Sequence, residues 1–92
     1  MQITIKIYTN KCILHFTEMN TEERDLIEKY LCVGKDGYYV VKGIKESPSQ
    51  MVDSLITKFN KILLKEKNNL SMLQKRAGRE IIIKLHDILA TL

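Results

Sequence analysis

Long apolar runs are missing from this chain of 92 residues. The longest uninterrupted aliphatic runs are residues 62–64 and 81–83, whereas a membrane-spanning helix needs about 20 apolar residues. The N-terminal residues alternate between apolar and polar, so they lack the apolar stretch of about 7–15 residues that a secretory signal requires. We therefore expect a cytoplasmic protein that does not engage a membrane.

Residues that commonly build catalytic and metal sites are few. Cys12 and Cys32 have no Cys-x-x-Cys spacing, and we expect two reduced thiols that pack as small core residues. Cys12 and His15 have a zinc-like spacing, but the chain offers no convincing fourth ligand. Neither His15 nor His86 stands at a spacing from a Ser or Cys that indicates a nucleophile–base pair. We predict a protein that is not an enzyme, with no catalytic residue, metal or cofactor.

Arginine and aromatic residues are also scarce. The three Arg among fifteen basic residues argue against sequence-specific reading of DNA more than against contact with a nucleic-acid backbone. Tyr8, Tyr38 and Tyr39 would stack on bases if they lie exposed on a sheet. The abundance of Ile, Lys and Asn resembles the coding of an AT-rich genome, as in many bacteria, phages and other viruses.

The composition fits a single soluble domain over residues 1–92. Apolar residues make up 45% and charged residues 28%, which is ordinary for a globular protein. Scaling with mass gives roughly 5,500 Å² of native surface and roughly 15,500 Å² for the extended chain. About two-thirds of the surface is then buried, which suffices for a small core without disulfides.

Alternating apolar residues predict the strands. Residues 2–8 and 12–17 alternate with period two, and the short polar break between them favours an antiparallel hairpin. Residues 38–41 form the next predicted strand after a glycine-containing turn. Residues 32–33 are a candidate for a fourth strand.

Three helix starts carry the capping-box spacing, in which Asn or Ser is followed three residues later by Glu or Gln. Asn20 predicts a first helix that ends near Leu31, and Ser47 with Pro48 after it predicts a long helix over 48–65. We expect this long helix to lie across the sheet.

Ser71 predicts the third helix, with an apolar stripe from Arg79 onward. Ala77 and Gly78 suggest an interruption, and a strand over 80–85 is the alternative because three successive Ile are ambiguous. The expected order is β-β-α-β-α-α, an α+β fold with a small antiparallel sheet packed against about three helices.

The net charge of +4 is localised. Residues 1–46 are neutral, and the whole excess lies in residues 47–92. If its basic side chains converge, they form a binding surface for a protein partner or a polyanion; a solvated lysine face is the alternative. These candidate site residues are Lys58, Lys61, Lys65, Lys67, Lys75, Arg76 and Arg79.

Leu64 and Ile83 are large apolar residues that fall off the core stripes of their own helices. Two such residues on neighbouring helices would mark a partner or homodimer surface. The alternative is that the core packing extends further around each helix and covers them.

Size, charge and lack of chemistry favour a small binding protein. We expect an accessory or inhibitor-type module, of the kind found in phages and mobile elements, that docks on a larger protein or nucleoprotein complex. The alternative is a nucleic-acid-binding protein that contacts phosphates through the basic C-terminal helices.

Overall fold

A computed structural model describes residues 1–43 and 47–92 of the chain. The strands are β1 (Gln2–Ile7), β2 (Lys11–Thr17) and β3 (Tyr38–Lys42). The helices are α1 (Thr21–Leu31), α2 (Pro48–Lys65) and α3 (Met72–Thr91). The α+β class and the order β-β-α-β-α-α are confirmed.

The three strands form one antiparallel sheet with β2 in the centre. Ile5 pairs with Leu14, and Leu14 pairs with Tyr39 on the other side. Because side chains alternate between the two faces of a strand, one sheet face is apolar and carries the buried Leu14 and Phe16. We call this the inner face, and the opposite face the outer face.

The turn before β3 depends on a glycine. The Gly37 N–H donates to the carbonyl of Gly34 over 3.0 Å, and the Gly37 carbonyl accepts from the N–H of Phe16 over 2.9 Å. Gly37 has φ +78°, and a Cβ there would overlap the carbonyl oxygen of Phe16. The suggested strand at 32–33 is absent, since Cys32 ends α1 in the left-handed conformation with φ 56°.

All three predicted capping boxes are present. At α2 the Ser47 hydroxyl accepts from the Gln50 N–H over 3.2 Å, and the Gln50 side chain accepts from the Ser47 N–H over 3.0 Å. Asn20 with Glu23 and Ser71 with Gln74 form the same reciprocal pairs. The helix starts are therefore fixed by local hydrogen bonds rather than by packing alone.

The C-terminal segment is a helix, as favoured over a strand, but the expected interruption at Ala77 and Gly78 is wrong. Both residues are buried within a continuous α3. A Cβ at Gly78 would stand 2.8 Å and 2.9 Å from the two terminal methyls of Leu63. The small residues therefore allow α3 to approach α2 closely rather than ending the helix.

The last helix holds the layers together. α3 packs against α2, α1 and β1, and its Ile81 and Leu85 are fully buried. α2 packs on α3, and its Met51 and Leu55 share a shallow depression with Tyr39 and Val41 of β3. The long helix over 48–65 therefore lies beside the sheet at β3, while α3 contacts the sheet at β1.

Candidate functional site

The α2–α3 hairpin forms a groove with two helical walls. The helices run antiparallel on either side of the turn at 66–69, and the contact between Leu63 and Gly78 brings them together. The groove beside this contact has a volume of about 240 Å³. It is lined by Asn60, Leu63, Leu64, Lys67, Lys75, Arg79 and Ile82.

The groove combines an apolar floor with a basic rim. Leu63 and Ile82 are half-buried and form the floor, while Leu64 is 72% exposed at its edge. Lys67, Lys75 and Arg79 supply three positive charges, and no carboxylate of the described residues belongs to the lining. The groove thus offers hydrophobic contact and a positive potential in one place.

The seven basic candidate residues divide between different parts of the surface. Lys67, Lys75 and Arg79 meet in the groove, as the sequence suggested. Lys58 and Lys61 instead line a depression that Asp53, Ser54, Thr57 and Ile62 complete, all from α2 alone.

Helix geometry explains this division. At about 100° per residue, Lys58, Lys61 and Lys65 share a stripe that lies roughly 110° around α2 from the Asn60–Leu64 side. Arg76 lies about 100° around α3 from Lys75. Lys65 therefore faces away from the wall that α2 gives to the groove. Arg76 lies outside the groove lining but only about 20° around α3 from Ile83, at the edge of the same side.

Leu64 and Ile83, the apolar interface candidates, are both exposed, Ile83 by 52%. Leu64 lines the groove directly, and Ile83 lies one turn after Arg79 on the same side of α3. Met72 adds another exposed apolar side chain on that side of α3. The sequence did not single out Met72, because the predicted apolar stripe of α3 began only at Arg79. Whether Met72 lies on or off the core side of the helix was therefore not apparent.

The residues available for acid–base or metal chemistry do not gather. Cys12 is buried in the sheet and Cys32 is exposed at the end of α1. His15 lies on β2, and His86 lies exposed on α3. Among residues 1–43 and 47–92, no group of three His, Cys, Asp or Glu is placed to hold a metal ion.

The helices of the described chain are all too short or too polar to cross a membrane.

The three tyrosines considered for stacking separate by sheet face. Tyr8 and Tyr38 are 49% and 46% exposed, whereas Tyr39 is half-buried on the inner face. The sequence could not show whether Tyr38 or Tyr39 shares a sheet face with the buried residues of β2, because the register of β3 on β2 depends on the turn at Gly37.

Comparisons of the chain with protein-family models, with curated proteins and with solved structures find no match.

Proposed function

We propose that this protein is a non-enzymatic binding module whose α2–α3 groove docks an acidic, partly apolar segment of a larger protein. The observation that carries the proposal is the pairing of the exposed Leu64 with the three cations Lys67, Lys75 and Arg79 around one groove. An accessory or inhibitor role on a larger assembly follows from such a site.

The size of the groove favours side chains of a protein over a small ligand. About 240 Å³ is the volume of roughly eight waters at liquid density and is below the 300–1,000 Å³ of usual small-molecule sites. The depression at Lys58 and Lys61 is larger, about 480 Å³, but one helix supplies all of its lining. A single helix gives no second wall, so we place the docking site in the groove.

The apolar contribution to binding comes mainly from Leu64. Complete burial of a leucine side chain contributes about 1.5–3 kcal/mol, and 72% of Leu64 is still exposed in the free protein. Covering it with a partner would therefore contribute about 1–2 kcal/mol, or about 5- to 30-fold in affinity. Ile83 and Met72 extend the same apolar surface.

The charged contribution selects the partner. Lys67, Lys75 and Arg79 attract a carboxylate-bearing segment and repel a basic one, which gives orientation and association rate more than raw affinity. The groove lining contains no His, Cys, Asp or Glu, so it supplies none of the side chains most used for proton transfer. Its composition supports binding rather than catalysis.

The experiment is a quantitative pull-down from the native host, with and without nuclease. The groove variants are Leu64→Ser and the double charge reversal Lys75→Glu/Arg79→Glu. Their matched controls are Leu73→Ser, an exposed leucine about 120° around α3 from Arg79, and Arg24→Glu/Lys29→Glu on exposed positions of α1.

We expect one stoichiometric protein that survives nuclease, is retained by both controls and is lost or weakened at least 5-fold by both groove variants. Equal recovery by groove and control variants would overturn the proposal. Loss of the partner on nuclease treatment, together with its loss in Lys75→Glu/Arg79→Glu, would assign the basic helices to nucleic acid. A sedimentation experiment that shows a dimer sensitive to Leu64→Ser, with no other partner, would assign the groove to a second copy of this chain.

A further inference from the structure

We infer that the outer face of the sheet is a second binding surface, and that it binds single-stranded nucleic acid by stacking a base against Tyr38 and His15. This surface lies on the side of the sheet away from the buried inner face, and the inference is independent of the α2–α3 groove.

The strand register places the outer-face side chains in rows across the sheet. Thr4, His15 and Tyr38 form one row. The next row contains Lys6, Ile13 and Val40, and the last contains Tyr8, Lys11 and Lys42. Successive rows are about 6.6 Å apart, because two residues separate them along each strand. Aromatic, apolar and basic side chains therefore share one continuous surface.

The rings of His15 and Tyr38 form a preorganised stack. Their centroids are 4.0 Å apart and their planes differ by 7°. The His15 Nε2 lies 3.1 Å from the carbonyl oxygen of Asp36, and since a carbonyl only accepts, the ring nitrogen donates. This hydrogen bond holds the imidazole in the orientation that stacks.

The second face of the Tyr38 ring points away from His15, toward the outer edge of β3. β3 is an edge strand of the described sheet, so no described strand stands beside Tyr38 on that side. Tyr38 is 46% exposed although it is stacked on His15. A nucleobase placed there would continue the stack, which is how proteins commonly hold unpaired bases.

The charge of this face selects an anionic strand. Lys6, Lys11 and Lys42 lie on it, and none of the side chains in these rows is acidic. The Asp36 carboxylate, which accepts from the Tyr38 N–H over 3.3 Å, lies at the opposite end of the face from Lys11 and Lys42. The Lys11 ammonium lies 5.0 Å from the centre of the Tyr8 ring, so the basic row also contains an aromatic side chain. Stacking rings beside cations match bases beside phosphates.

Single strands fit this surface better than a duplex. The bases of a duplex are stacked on each other and are unavailable to Tyr38, so a duplex would contact only the three lysines. Val40 is 44% exposed and Ile13 half-buried between the stack and the basic row, which gives a base an apolar floor. The three rows from the His15–Tyr38 stack to Lys11 and Lys42 accommodate about two or three nucleotides.

The test is fluorescence anisotropy with a labelled ten-nucleotide oligothymidylate at 50 mM salt. The comparison probes are the same length of abasic strand and of duplex. The variants are Tyr38→Ala, the ring-preserving Tyr38→Phe, and Lys6→Gln/Lys11→Gln. The groove variant Lys75→Glu/Arg79→Glu serves as a control for basic residues elsewhere, and circular dichroism establishes that each variant is folded.

We expect binding to the oligothymidylate that Tyr38→Ala weakens by about 5- to 150-fold and Tyr38→Phe preserves. If each of the three lysines contacts one phosphate, a plot of the logarithm of the binding constant against the logarithm of the salt concentration should have a slope of about −2. Lys6→Gln/Lys11→Gln should make this slope shallower.

Three results would overturn the inference. The first is no binding at 50 mM salt. The second is equal binding of the abasic strand or the duplex, which would mean that phosphates alone are recognised. The third is loss of binding in Lys75→Glu/Arg79→Glu with Tyr38→Ala unaffected, which would place the nucleic acid on the helices.

Discussion

The contact between Gly78 and Leu63 allows a stability prediction whose sign depends on the neighbouring helix. Gly78→Ala removes a glycine from the interior of α3, and this substitution alone would stabilise a helix by about 0.5–1 kcal/mol. The new Cβ, however, would stand 2.8 Å and 2.9 Å from the two methyls of Leu63 and 3.4 Å from its Cγ. A rotation about χ2 of Leu63 replaces only one of these methyls by hydrogen, so relief of both contacts also requires a change at χ1.

The free-energy cost of the steric overlap should exceed the gain from the higher helix propensity of alanine. Overpacking of this kind costs about 1–3 kcal/mol, so Gly78→Ala should lower the free energy of unfolding by about 1 kcal/mol. In a Leu63→Ala background the obstructing methyls are gone, and the same substitution should raise the free energy of unfolding by about 0.5–1 kcal/mol. The coupling between the two positions is therefore about 1–3 kcal/mol.

Urea unfolding of the wild type, both single variants and the double variant measures this coupling. A loss of 1 kcal/mol also corresponds to a lower Tm by about 4–8 °C for a domain of this size. Stabilisation by Gly78→Ala in both backgrounds, with coupling near zero, would refute the reasoning that a close helix contact requires glycine there.

Three further substitutions test the left-handed residues. Gly37→Ala should lower the free energy of unfolding by about 2–4 kcal/mol, since φ is +78° and the Cβ overlaps the Phe16 carbonyl. Gly43→Ala should lower the free energy of unfolding by only about 1–2 kcal/mol, because φ is +64° but no described atom lies within 4 Å of the added Cβ. Equal losses for the two glycine substitutions in urea unfolding would contradict this reasoning. Cys32→Gly should raise the free energy of unfolding by about 0.5–1 kcal/mol because Cys32 is left-handed at φ 56°; an unchanged or lower Tm would count against this.

The elements with local signals were predictable from the sequence. Ser47, Pro48 and Gln50 define the start of α2 by hydrogen bonds within four residues, and the structure begins the helix at Pro48. Strand alternation likewise predicted the hairpin of β1 and β2. These features depend on short-range chemistry, which a single sequence contains in full.

Features that depend on distant contacts were not predictable. Gly78 resembles a helix breaker until Leu63 is placed against it, and α3 contacts β1 only because three elements pack together. The seven basic residues looked like one cluster in the sequence, but the turn at 66–69 sets which sides of α2 and α3 face each other. Only Lys67, Lys75 and Arg79 therefore share the groove.

The central position of α3 has a consequence for folding during synthesis. α3 is the last of the six described elements in chain order, yet it contacts α1, α2 and β1 and contributes the fully buried Ile81 and Leu85. Until it has been made, the buried faces of the earlier elements have no common partner to cover them. A chain shortened before Met72 should therefore expose those faces and bind a chaperone or aggregate, and native packing should begin only once α3 has left the ribosome.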